Sequence, residues 1–233
     1  DFKIYNASTD GKSVSGYIND FNYWFTKIPN FKPQYVIFYI GINDRFNNFD
    51  GNYFLDNKIS EQKFDQLKDY IKNNSFFVDK FKLIKNKYFP KNTFAYDLSN
   101  NSLYNNYDYV DYQTALKMHK NIDKENLILI KNFRSKLDKL NLIIKNLEIK
   151  PIFINQLMYD GLKDKKLFLV NNELKNFALE NNYYLIPLDE ILNMKQNDYF
   201  DAAHTTPHGS KRIADKVFPF LLEFFKENNE ITE

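Results

Sequence analysis

The sequence predicts an α/β fold of three layers: a doubly wound, mainly parallel sheet of flavodoxin-like type, with helices on both faces. Three observations predict it. Gln34-Tyr-Val-Ile-Phe-Tyr-Ile40 is a continuous apolar run between Pro33 and Gly41, as expected of a strand covered on both faces. Pro151 to Leu157 and Tyr183 to Leu188 are two further short apolar runs. Stretches with apolar residues at helical spacing lie between them, so strand and helix alternate as in a parallel sheet.

In chain order, Phe2 to Asn6 alternates apolar and polar and predicts a first strand. Ala7 to Gly16 is small and polar with two glycines, a loop. Tyr17, Phe21, Trp24, Phe25 and Ile28 predict a core-facing helix over 17–28. After the strand ending at Ile40 the pattern loosens from Phe46 to about Asn121. Within it, 61–73 and 76–88 suit helices, while Asn92 to Tyr112 is irregular and rich in Asn and Tyr. Such a length exceeds a connection in a compact α/β unit and predicts a partly helical insertion over 46–121, inside a single domain spanning 1–233. Ile130, Phe133, Leu137, Leu140, Ile144 and Leu147 then form one stripe of a long amphipathic helix. A strand over 151–157, a helix over 166–181 and a strand over 183–188 follow. The closing helix buries Ile213, Val217, Leu221 and Phe224, and Pro219 is expected to bend it. Thr206 and Pro207 mark its start, a hydroxyl cap followed by proline at the first helical position.

Composition narrows the function. The 233 residues favour one sizeable domain, and 43% hydrophobic with 27% charged residues is ordinary for a globular protein. A net charge of +2 with interleaved signs carries no footprint of nucleic acid or of an anionic membrane. With no cysteine there is no disulfide, thiolate zinc site or cysteine nucleophile. No apolar run reaches the length of a membrane span, and no signal peptide is visible, although the chain opens at Asp1 and not at Met.

The chemistry-bearing residues cluster near the end of the chain. Asp201 and His204 stand three apart just before the closing helix. A tight turn of that spacing can set a carboxylate against one imidazole nitrogen, fixing the tautomer and stabilising the imidazolium. The same residues also suit a capping turn with a surface histidine. A metal pair of His204 with His208 is not expected, because Pro207 starts the helix between them and no cysteine is present. Two loops follow predicted strands: Asn6-Ala-Ser-Thr-Asp-Gly11 and Gly41-Ile-Asn43-Asp44. Each alone is also ordinary turn chemistry.

Taken together, these three stretches resemble the SGNH (GDSL-type) hydrolase family, named for its Ser, Gly, Asn and His. The resemblance covers most of the chain in outline and is most specific at 5–16, 35–44 and 201–214. It implies a serine esterase acting through an acyl-enzyme, with His204 as base, Asp201 as its orienting carboxylate, and Gly11 N–H and the Asn43 amide as oxyanion donors. It implies no metal and no organic cofactor. A carbohydrate O-acyl ester is the substrate class it suggests, in a cell-envelope or extracytoplasmic setting rather than a cytoplasmic one. Tyr104, Tyr107, Tyr109 and Tyr112 could then stack on sugar rings, or simply serve packing. The same site could run acyl transfer to a hydroxyl.

The family's serine block has no counterpart among residues 1–233. The resemblance puts that serine upstream of Gly11, off the start of this chain, on a strand lying between those at 2–6 and 35–40. The chain is therefore expected to be a piece of a longer protein. A weaker alternative nucleophile is Ser13 in Gly11-Lys-Ser13-Val-Ser-Gly16, which resembles the Gly-x-Ser-x-Gly elbow except for serine at position 15. The rival of another class is a non-catalytic binding module that keeps the fold without its nucleophile.

Overall fold

The computed structural model describes residues 3–7, 11–23, 25–46 and 107–228. Three parallel strands form the sheet in the order β1 (Tyr35–Ile40), β2 (Lys150–Asn155), β3 (Tyr184–Ile186). Tyr35 stands opposite Lys150, and Ile152 opposite Tyr184. The helices are α1 (Val14–Tyr23), α2 (Tyr112–Met118), α3 (Lys124–Asn146), α4 (Lys165–Glu180), α5 (Leu188–Ile191) and α6 (Pro207–Glu227). Oxygen caps start five of them: Ser13 for α1, Asp111 for α2, Asp123 for α3, Asp164 for α4 and Thr206 for α6. Each accepts an N–H that the first helical turn leaves unpaired.

Strand alternation divides the core between two faces. Phe38 and Ile40 of β1 and Phe153 of β2 pack with Phe21 of α1, with Phe133, Leu137 and Leu140 of α3, and with Leu174 and Phe177 of α4. The other face turns Ile152, Ile154 and Ile186, with Tyr35 and Tyr39, toward Val217, Leu221 and Phe224 of α6. The result is the α/β three-layer arrangement, built on a small sheet. Most of the stripe foreseen for the long helix is its buried side, with Phe133, Leu137, Leu140 and Ile144 at most 2% exposed, while Leu147 at its end is exposed. Among the described residues no helix is long and apolar enough to cross a membrane.

Several boundaries differ from expectation. Residues 3–7 form no strand, and Ile4 and Tyr5 are exposed, with the Tyr5 ring edge-on to Phe31. Alternation alone does not make a strand; that takes a ladder, and none joins residues 3–7 to the described strands. The first helix begins at Val14, inside the stretch expected to be a loop, and ends at Tyr23, with a separate 3-10 turn at Phe25–Lys27. Of the stretch expected as an insertion over 46–121, residues 46 and 107–121 are described, and Val110, Ala115 and His119 there are buried. The helices expected at 61–73 and 76–88, and Tyr104, lie outside the described residues. The closing helix runs through Pro219 from Pro207 to Glu227.

Gly209, in the first turn of α6, marks the tightest approach. A Cβ there would lie 2.0 Å from the carbonyl oxygen of Asp198, and that oxygen already accepts the N–H of Thr206 at 2.8 Å. Gly209→Ala must therefore push α6 off the 196–198 turn. Urea unfolding should register a loss of at least about 2 kcal/mol; a loss below ~0.5 kcal/mol would mean that the turn yields freely.

Candidate active site

The segment between β3 and α6 is closed on itself before it presents anything. Tyr199 is buried, and its hydroxyl donates to Leu157 O at 2.8 Å. Phe200 N–H donates to His204 O at 3.0 Å, and Thr206 N–H to Asp198 O at 2.8 Å. Inside this closed loop Asp201 uses both oxygens. Oδ1 accepts the N–H groups of Ala203 (2.8 Å) and His204 (2.7 Å), while Oδ2 meets His204 Nδ1 at 2.7 Å. Burial works against the ion, but those two N–H groups and the ring outweigh it and hold Asp201 below the usual carboxylate range. With Nδ1–H donating to Asp201, the lone pair is on Nε2. That nitrogen has no hydrogen-bond partner among the described residues, and the side chain is 58% exposed. Phe200 stacks beside the ring, with centroids 5.8 Å apart and planes 10° from parallel.

The segment bearing Gly11 and the loop bearing Asn43 meet at Lys12, just before α1. Gly11 has φ +74°, the left-handed conformation that glycine enters without cost, and open space lies where a side chain would be. One residue on, Lys12 O accepts from Asn43 Nδ2 at 3.1 Å. This bond uses one of the two amide hydrogens of Asn43 and aims the group, leaving the second to donate elsewhere. Next to it, Val14 N–H donates to Asp44 Oδ1 at 2.9 Å. Asp44 is buried, and burial pushes its carboxyl up to about 7, against the opposing pull of the Val14 N–H and Lys136.

The stretch after β2 touches both groups. Gln156 Oε1 accepts Ile42 N–H at 2.7 Å, and Tyr159 N–H donates to Ala202 O at 3.2 Å. Arg45 reaches the Met158 sulfur and pairs with Asp164. Asn43 is thus joined to Lys12, the residue after Gly11, and Asp201 to His204, and both pairs sit at the carboxyl-end rim of the sheet, where open α/β sheets bind ligands. No hydrogen bond runs directly from His204 to Gly11 or Asn43.

The remaining candidates have other partners. Ser13 is fully buried and caps α1, its Oγ accepting Gly16 N–H at 3.4 Å, and no histidine touches it. That placement gives the elbow alternative neither access nor a base. His208 Nδ1 meets Asp198 Oδ1 at 2.9 Å, so it and His204 turn to different carboxylates. The hydroxyls of Tyr107 and Tyr109 donate to Met194 O (2.8 Å) and Leu192 O (3.3 Å), and Lys175 lies over the Tyr112 ring. These contacts occupy the hydroxyls of Tyr107 and Tyr109 and one face of the Tyr112 ring. Asp44 and Gln156, which hold the rim together, were not foreseen as site residues. The only sequence sign of either was an Asn-Asp pair that also reads as a turn.

No family model, no curated protein and no solved structure matches this chain.

Proposed function

We propose that the chain carries the base and the oxyanion donors of an SGNH-type serine hydrolase that cleaves carboxylic esters. The observation that carries this reading is the Asp201–His204 pair: a carboxylate immobilised by two backbone N–H groups, and a half-exposed ring held through Nδ1 whose Nε2 has no partner among the described residues.

This reading requires a serine nucleophile, which none of the described residues at the rim supplies. The outer edge of β1 suits the strand that would bring it. Gln34 O accepts Lys150 N–H, so in a parallel pair Val36, Phe38 and Ile40 turn their backbone groups toward β2. Tyr35, Ile37 and Tyr39 then turn theirs outward. Ile37 is 46% exposed, and the Tyr17 hydroxyl already donates to Tyr39 O. A parallel strand added there would end at the same rim as Asn43.

In the first half-reaction His204 Nε2 takes the serine proton as Oγ attacks the ester carbonyl. Gly11 N–H and the second Asn43 hydrogen hold the oxyanion; one such donor is typically worth about 3 kcal/mol in the barrier. His204 then returns the proton to the departing alcohol, leaving an acyl-serine. Water attacks next, gives its proton to Nε2, and the acid leaves as the serine is restored. A hydroxyl in place of that water would make the reaction an acyl transfer. Tyr107 and Tyr159, with ring centroids 6.5 Å apart, stand beside this turn through the Tyr159–Ala202 bond. Aromatic faces there suit a sugar ring, which favours a carbohydrate ester as substrate.

The test is fluorophosphonate labelling and p-nitrophenyl acetate hydrolysis by the full-length protein. Both should be present in the wild type and abolished in His204→Ala. A full-length protein that takes no label and cleaves no ester would instead be a binding module of this fold.

A further inference from the structure

Asp44 is buried beside the two proposed donors, and the mechanism above leaves it without a part. It follows Asn43 in a turn closed by its own N–H, which donates to Gly41 O at 3.0 Å. Its Oδ1 crosses thirty residues of sequence to the N–H of Val14, the first residue of α1, at 2.9 Å. Asn43 meanwhile holds Lys12 O from the same side. Adjacent side chains of one loop thus grip two nearby peptide groups of the other, one a carbonyl and one an N–H. Two links of opposite polarity fix the twist between the loops as well as their distance. Asp44 Oδ2 is buried with no hydrogen-bond partner among the described residues.

The titratable groups facing Asp44 are Lys136 of α3 and the Tyr17 hydroxyl of α1. Tyr17 is occupied by Tyr39 O, and Asp20, which also acts on Tyr17, is paired with Lys12. Among the described residues no salt bridge is made to this carboxyl, Lys136 acting on it only through space, and a neutral carboxyl is the form that burial favours there.

We infer that Asp44 is a positioning residue that locks the loop bearing Gly11 to the loop bearing Asn43, so that the two donors move as one body. This rests on the reading of that pair as an oxyanion hole. Such donors accelerate the reaction only when they are aimed before charge develops. The lock needs an acceptor, not a charge, so an amide of the same shape serves as well.

The experiment uses the full-length protein, p-nitrophenyl acetate kinetics and amide hydrogen exchange at Val14. Asp44→Ala should lower kcat on the order of 10- to 100-fold with KM within about twofold, as a small misplacement of catalytic groups does. Asp44→Asn should restore kcat to within about threefold of wild type. Val14 exchange should quicken at least about tenfold in Asp44→Ala and not in Asp44→Asn. If Asp44→Ala does not fold, Val14→Pro removes the donor from the other side, at a helix position where proline is tolerated; it should reproduce the kcat loss. Wild-type kcat in Asp44→Ala, or in Val14→Pro where that variant replaces it, overturns the lock. So does a folded Asp44→Asn as slow as Asp44→Ala, or unchanged Val14 exchange in Asp44→Ala. A wild-type protein that cleaves no ester and takes no fluorophosphonate would defeat the hydrolase reading alone, and the exchange measurement would still decide the lock.

Discussion

Asp201→Asn is expected to cut ester turnover by about 10³- to 10⁴-fold while leaving the fold intact. The two consequences separate because the two oxygens of Asp201 do different work. Oδ1 closes the turn by accepting Ala203 and His204 N–H, and an amide oxygen accepts them equally well. Oδ2 receives Nδ1–H of His204. An amide nitrogen there is a donor and faces the ring with the wrong polarity, so the ring proton is driven to Nε2. The nitrogen that must accept the serine proton is then already occupied. The urea midpoint should move by less than the equivalent of ~1 kcal/mol, while kcat falls as far as in His204→Ala. Turnover within tenfold of wild type in a folded Asp201→Asn would sink the assignment of Asp201 as the orienting carboxylate.

What could be foreseen in the chain and what could not divide by range. Val36 to Ile40 and Ile152 to Ile154 announce buried strands because the apolar run is local. Phe133, Leu137, Leu140 and Ile144 announce a helix face for the same reason. The Asp201–His204 contact and the Thr206 cap each span three residues, so spacing alone suggests them. The strand expected at 2–6 failed because a strand exists only through its neighbour, and alternation says nothing about whether one is there. The start of α1 was missed because its cap is a buried serine and its first N–H is taken by a carboxylate thirty residues away. Gln156 meets Ile42 across 114 residues. The bonds that assemble the rim are of this second kind, which is why its parts could be guessed singly and its assembly could not.

Stability should fall as pH rises from about 4 to about 7, and Asp44→Asn should remove much of that fall. Burial carries Asp44 from an ordinary value of 3.8 to about 7. Between those values the unfolded chain releases the proton and the folded chain keeps it. The folded state then binds more protons than the unfolded one, so stability must decline with rising pH. This contribution is full below the unfolded value and is lost as pH climbs through the folded one. The gap amounts to roughly 4 kcal/mol at 1.36 kcal/mol per pKa unit, an upper figure for one buried carboxyl. Other acids do not blur the comparison. Asp201 is held low and matters only as pH falls below the ordinary carboxylate range. Asp189 is pushed up by burial, despite the pull of Lys175, and is present in both proteins, so it cancels. The amide of the variant leaves a buried donor near the unpartnered oxygen's place, a cost that does not vary with pH. The quantity to measure is the difference in unfolding free energy between Asp44→Asn and wild type, by urea titration at four pH values from 4.5 to 7.5. It should grow in the variant's favour by several kcal/mol across that range, with a slope approaching ~1.4 kcal/mol per pH unit. A flat difference would mean that Asp44 titrates alike in the folded and unfolded chains, and that the carboxyl is not held neutral at the root of α1.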